Sequence, residues 1–393
     1  MKQIKIIQIF SLIAFAATVG LVSCEKDPTS KMDSVYNDAL ASPNPTLNFT
    51  NIFIPNPNFS TEEGKIVRMD ISGIMNPVTK EWLELVGTNT ENPSAQKIKI
   101  SVEVDGKPKF VIVWNSDPTN RNNLVDYVFL VDNSGSMDEE SNAVAEQIVE
   151  YATYLSGQGL DIRYGCVGYS YNSDPKIYGA INMTDADSLS TYLNRNRGRD
   201  RTVGYAGSDA NILQSLANSS YSYHGSEECG VLAFRFADEQ FEFRPSADIH
   251  YINFTDEPTR APNANLSVEY TKDKSKWKQQ RGTIHTVFSG DTTFTRDEKP
   301  WKMSEYTGGT TLFVDPTFTT TIEGDSISLL TLPVTSVILN VYSTIRFKNT
   351  STVPDGQHEV KITIQSADKS VQGEKVFKNV TFGNRGNYLP RLW

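Results

Sequence analysis

Asp126-Tyr-Val-Phe-Leu-Val-Asp132-Asn133-Ser134-Gly135-Ser136-Met137 is the stretch whose reading decides the fold. A run of apolar and β-forming residues ends in an aspartate, and two serines follow at alternate positions. At a strand end, alternate side chains point the same way. Oxygens from Asp132, Ser134 and Ser136 can therefore converge on one small hard cation.

The surroundings of this stretch read as α/β. Between residues 124 and 315, buried-type strands alternate with helical segments, the pattern of a parallel sheet covered by helices. The expected strands are Tyr127–Val131, Ile162–Tyr169, Ile177–Met183, Ile249–Phe254, Thr283–Phe288 and Thr311–Val314. The expected helices are 138–156, 185–195, 210–219, 228–240, 271–280 and 301–307, with Asp185 as a cap and Gly308-Gly309 as a stop.

Both flanks read as β. Residues 47–118 carry strand patterns at Leu47–Ile54, Lys65–Ile74, Trp82–Val86, Lys97–Val104 and Lys109–Trp114, with a hairpin signal at Asp105-Gly106. Residues 320–393 carry them at Ser336–Phe347, His358–Ser366 and Lys375–Phe382. Either flank alone is marginal in size. The expectation is one sandwich made from both flanks, with residues 119–319 inserted between its halves; two separate small β domains is the alternative.

Residues 1–24 have the build of a targeting segment: Lys2 and Lys5, an apolar run, then Leu21-Val22-Ser23-Cys24. That ending resembles a bacterial lipobox, in which Cys24 is lipidated. A transmembrane anchor is the other reading, although the run is short for a bilayer. Residues 25–46 read as a tether. A net charge of -10 argues against nucleic acid as a partner. Of the three cysteines, Cys166 and Cys229 could pair outside the cytoplasm or stay as buried thiols.

Three loops and a closing helix–strand segment carry a family resemblance: the loops Asp132-Asn133-Ser134-Gly135-Ser136, Gly204-Tyr205-Ala206-Gly207-Ser208-Asp209 and Tyr251-Ile252-Asn253-Phe254-Thr255-Asp256, and the segment Glu305-Tyr306-Thr307-Gly308-Gly309-Thr310. Together they resemble a von Willebrand factor A (VWA) domain with a metal-ion-dependent adhesion site. The resemblance implies a doubly wound α/β domain, inserted in an immunoglobulin-like sandwich as in integrin β subunits. It implies a cation held by Asp132, Ser134, Ser136, Ser208 and Asp256, with serine at position 208 where the family usually has threonine. Mg²⁺ suits this oxygen set, and Mn²⁺ or Ca²⁺ could substitute. If Asp256 acts through water, the cation stays electrophilic and can take a carboxylate from another molecule. An additional metal would draw on Asp209, Glu139 and Glu140, although acidic residues in a first helical turn also complement the helix dipole. Arg195, Arg197, Arg199 and Arg201 form a basic run that could steer an acidic ligand.

The four histidines form no metal-binding motif, and no nucleophile elbow, P-loop or dinucleotide fingerprint is present. The expected function is therefore not enzymatic. It is an adhesion or protein-binding module, tethered by its lipid to the bacterial outer membrane and facing the surface or the periplasm. It resembles surface and pilus-tip adhesins and captures a protein ligand that presents an acidic residue. An envelope or pilus assembly factor using the same site is the second expectation, and a metal-dependent hydrolase the third.

Overall fold

The computed structural model describes residues 35–55, 57–62, 65–88, 97–117, 123–138, 140–170, 177–219, 229–259, 282–293, 299–316, 329–331, 333–350 and 357–382. Cys24 and its leader, Glu139 and the helix expected at 271–280 lie outside them. No helix among the described residues is long and apolar enough to cross a membrane.

Three sheets organise the chain. The central sheet has seven strands: β7 (Leu124–Asp132), β8 (Asp161–Tyr169), β9 (Ile177–Thr184), β10 (Gly204–Ala206), β11 (Asp248–Thr255), β12 (Thr283–Phe288) and β13 (Thr311–Phe313). Their order is β10-β9-β8-β7-β11-β12-β13. β7 pairs in parallel with β8 on one side and with β11 on the other, so the winding reverses at β7. This is the doubly wound arrangement, with a crevice at the carboxyl ends of β7 and β11.

Alternation along β7 explains the two covered faces. Tyr127, Phe129 and Val131 join the core beneath α1 (Glu140–Ser156) and α2 (Ala186–Asn194). Val128 and Leu130 join the opposite core, beneath α3 (Ala210–Ser219) and α4 (Gly230–Gln240). Cys166 belongs to the first core and Cys229 to the second. The sheet stands between the two thiols, and both are free and buried. As expected, Asp185 caps α2 by accepting from the Ser188 amide at 2.7 Å. Gly308, at φ 77°, ends α5 (Lys302–Thr307).

The sheet is mixed rather than all parallel, because β9 runs antiparallel to β8 and β10 follows β9. Residues 170–176 are too few for a parallel crossover, which needs about a dozen.

Strands from the two flanks interleave in the other sheets. One is β1 (Asn58–Glu62), β2 (Ile66–Ser72), β14 (Tyr342–Lys348) and β6 (Ile112–Asn115), in that order. The other is β16 (Gln372–Val380), β15 (His358–Gln365), β4 (Lys97–Val104) and β3 (Glu84–Val86), with β5 (Lys107–Lys109) on β4. Val67, Met69, Ile71, Ile345 and Phe347 of the first sheet share a single core with Ile98, Ile100, Val102, Val360, Ile362 and Ile364 of the second. Each sheet is thus built from residues on both sides of the α/β region. Asp105 (φ 51°) and Gly106 (φ 72°) take the left-handed turn between β4 and β5 that the Asp-Gly pair favours.

One expected strand is absent and another starts later than expected. Residues 47–54 form none, although Ile52 and Ile54 are buried. Prolines at 45, 55 and 57 bound this segment and suit it poorly to a ladder; its bonds are single ones, such as the Asn51 amide to the Gln372 carbonyl at 2.9 Å. Residues 336–341 precede β14 rather than begin it, because Pro333–Ile338 forms α6. Thr335 on α6 bonds the Tyr151 hydroxyl of α1 at 3.2 Å, and Ile338 and Leu339 enter the core beneath α1.

Candidate metal centre

Asp132 closes β7 and Thr255 closes β11, its parallel neighbour. Register therefore brings two loops distant in sequence to one crest. The Asp132 side chain is fully buried, and its Oδ1 accepts the Ser134 amide at 2.9 Å. Its Oδ2 accepts the Thr255 hydroxyl at 2.9 Å. The hydroxyls of Ser134 and Ser136 lie 2.9 Å apart, and Ser136 donates to Asp256 Oδ1 at 3.2 Å. Asp132, Ser134, Ser136 and Asp256 thus form one connected group of oxygens. Ser134 is buried and Ser136 exposed, so the group has an inner floor and an outer lip.

The electrostatics of this group are unbalanced. No lysine or arginine pairs with Asp132 or Asp256 among the described residues. Burial pushes the Asp132 carboxyl up to about 8; the Ser134 amide opposes that, and the nearby Asp256 adds to it. Burial also raises Asp256, against the Ser136 hydroxyl bond. Two carboxyl groups without a cationic partner among the described residues, with two hydroxyls, are oxygen donors of the kind a hard divalent cation takes once the carboxyls ionise. Among the described residues no three His, Cys, Asp or Glu cluster.

Ser208 is not brought to this group. Gly204 on β10 is level with Gly179, Gly168 and Val131 across the sheet, next to the crest. The strand then runs the other way, so Ala206 is already level with Ile181, Cys166 and Phe129. Phe129 lies three steps below Asp132, roughly 10 Å, and Ser208 lies further on, three strands to the side. Its neighbour Asp209 accepts from Asn182 at 2.5 Å, and Asn182 accepts the Glu242 amide at 3.1 Å. That is the end of the sheet where Arg244 grips Asp126 and Asp161 at 2.8 and 2.6 Å. The reversed direction of β9 and β10 removes both Ser208 and Asp209 from the candidate set.

Thr202, which closes the turn before β10, does reach the crest. Its hydroxyl donates to Asn133 Oδ1 at 2.6 Å, directly beneath the first loop. Room for that contact comes from Gly168, where a Cβ would stand 2.3 Å from the Thr202 hydroxyl and 2.6 Å from Asn133 Nδ2. A threonine, the residue type the resemblance implies, thus stands upstream of Ser208, on the other side of β10.

The remaining candidates separate by role. Glu140 opens α1 and is buried, and Glu139 lies outside the described residues. Arg195 stacks on the Tyr192 ring at 4.1 Å and donates to the Val203, Gly204 and Tyr205 carbonyls. Arg201 is buried and donates to Asn142 at 2.8 Å and to the Leu193 carbonyl at 3.2 Å. These two arginines build their loop. His250 and His285 form a buried pair at 3.3 Å, and burial pulls His250 down to about 4.

No family model and no curated protein matches the chain. Solved structures similar to it include an aerotolerance-related membrane protein from Bacteroides fragilis NCTC 9343 with multiple mutations to serines, 13% identical. That match covers 49% of this chain and 93% of the other at a TM-score of 0.28. Another is the ArnB paralog VWA2 from Sulfolobus acidocaldarius, 12% identical, covering 72% of this chain and 75% of that one at 0.27. At such TM-scores the fold rests on the strand order and the site on its own distances.

Proposed function

We propose that this chain is an extracytoplasmic binding protein that captures a ligand carboxylate through a divalent cation of the Mg²⁺ type. Asp132, Ser134 and Ser136 would hold the cation directly, and Asp256 at the lip through water. When bound, the cation would supply an electrophilic position for an anionic oxygen of another molecule. The chain's own groups prepare that position: Thr255 and the Ser134 amide fix both oxygens of Asp132, and Thr202 props the loop through Asn133. The observation that carries the reading is a fully buried carboxyl group with no cationic partner among the described residues, joined to two hydroxyls and a second carboxyl group at the switch point of a doubly wound sheet.

In this reading Cys24 is lipidated and tethers the protein to the outer membrane, and the sandwich, of immunoglobulin type, presents the α/β domain outward. The reading assigns no catalytic residue. The test is thermal unfolding with Mg²⁺ or EDTA. A cation that binds only the folded state at 100 times its Kd adds about 2.7 kcal/mol. Mg²⁺ should raise the Tm of the parent and leave a Ser134→Ala/Ser136→Ala variant unmoved. Equal Tm values for the parent in Mg²⁺ and in EDTA would remove the reading.

A further inference from the structure

The proposed cation site has a basic neighbour whose role the structure narrows. Of the four arginines between 195 and 201, Arg195 and Arg201 spend their guanidinium groups on the loop itself. The loop is then clamped to the cation side: Thr202 donates to Asn133, and the Gly198 amide donates to Asn142 at 3.1 Å. Arg197 and Arg199 are exposed on this fixed loop and make no hydrogen bond or ion pair among the described residues. Asp138 and Asp200 stand on the same two loops, and neither pairs with these arginines.

Arg199 Nη1 lies 3.5 Å from the point where a Cβ on Gly135 would stand, and Gly135 separates Ser134 from Ser136. The bonds from that point through the backbone to the next side chain place the guanidinium within about 11 Å of the Ser136 hydroxyl. A reach of that length admits a second acidic side chain of one peptide. A chain with a net charge of -10 repels polyacids in general, and Asp138 Oδ1 lies 3.4 Å from where a Cβ on Gly198 would stand, so attraction of an acidic ligand must come from direct contact with the cation and the two arginines rather than from the surrounding field.

Building on the cation reading, we propose a two-point capture: the cation takes one carboxylate of the ligand and Arg199, with Arg197 beside it, takes a second. The partner is then an acidic peptide segment bearing at least two carboxylates, and a lone acid is a poor ligand.

The experiment uses the full chain in saturating Mg²⁺ with two probes, fluorescein-labelled deca-L-glutamate and N-acetyl-L-glutamate methylamide. Deca-glutamate should bind the parent more tightly than the single acid. Arg197→Gln/Arg199→Gln should weaken deca-glutamate about tenfold and flatten its salt dependence. The same variant should keep its Mg²⁺ affinity and its weak affinity for the single acid within about twofold, as a merely structural role would not allow. Unchanged deca-glutamate affinity in the variant overturns the two-point capture while leaving the cation site standing. Deca-glutamate binding by the parent that survives EDTA overturns it too. A parent that takes up no Mg²⁺ removes the cation reading, and the capture with it.

Discussion

Replacing Asp132 by asparagine in the metal-free protein should stabilise the fold at alkaline pH. Burial moves this carboxyl from 3.8 to about 8. A raised folded value means that between pH 4 and 8 the folded state keeps a proton that the unfolded chain has released. Stability of the metal-free parent must therefore fall as pH rises through that window and level off above it. At about 1.4 kcal/mol per pH unit, the full cost of ionising Asp132 in place is on the order of 5 kcal/mol. Asparagine keeps the acceptor for the Ser134 amide, and its NH₂ can donate to Thr255, whose hydroxyl now donates to Asp132 at 2.9 Å. After relaxation, a net gain of about 2 kcal/mol at pH 8.5 is expected. The assay is urea unfolding in EDTA at pH 5 and pH 8.5. The two proteins should be close in stability at pH 5, with the variant ahead at pH 8.5. Saturating Mg²⁺ should reverse that order by stabilising the parent alone. A variant less stable than the parent at both pH values without metal would refute the reasoning, because the charge on Asp132 would then be compensated from within the protein.

Other substitutions separate the parts of the account. Gly168→Ala drives a methyl against Thr202 and Asn133 and should cost about 1–3 kcal/mol in urea unfolding; calorimetry should show weaker Mg²⁺ uptake, since the loop beneath the site shifts. Ser208→Ala should leave Mg²⁺ affinity within about twofold, whereas Ser134→Ala should cost tenfold or more, about 1.4 kcal/mol; equal losses would mean that Ser208 does reach the cation, against the register of β9 and β10. Arg244→Ala strands the fully buried Asp126 and should destabilise by about 3–5 kcal/mol in the same urea assay, without touching Mg²⁺ affinity in protein that remains folded.

The central strands were legible because burial on both faces leaves a continuous apolar run, as from Tyr127 to Val131. Asp132, Ser134, Ser136 and Asp256 were legible because each lies within a few residues of such a strand's end. Ser208 was not, because a position in a loop says nothing about strand direction. The short link between β8 and β9 did carry that information, since it cannot make a parallel crossover. Thr202 was obscured for a related reason: its contact depends on the side-chain-free surface of Gly168, which becomes visible only when β8 lies beside the loop. The end of α6 reads as the start of a strand in the sequence because Val337 and Ile338 are β-branched. Packing against Tyr151 outweighs that preference, and Pro333 suits a helix's first position.

The central claim is that a buried, unpaired carboxylate and two neighbouring alcohols await a hard cation. Isothermal titration of Mg²⁺ into the EDTA-stripped chain at pH 6.5, repeated in buffers of different ionisation enthalpy, tests it most directly. The account predicts one cation per chain, with about one proton released as Asp132 gives up its own. No heat of binding with Mg²⁺, Mn²⁺ or Ca²⁺, or uptake that persists in Asp132→Ala, would contradict it.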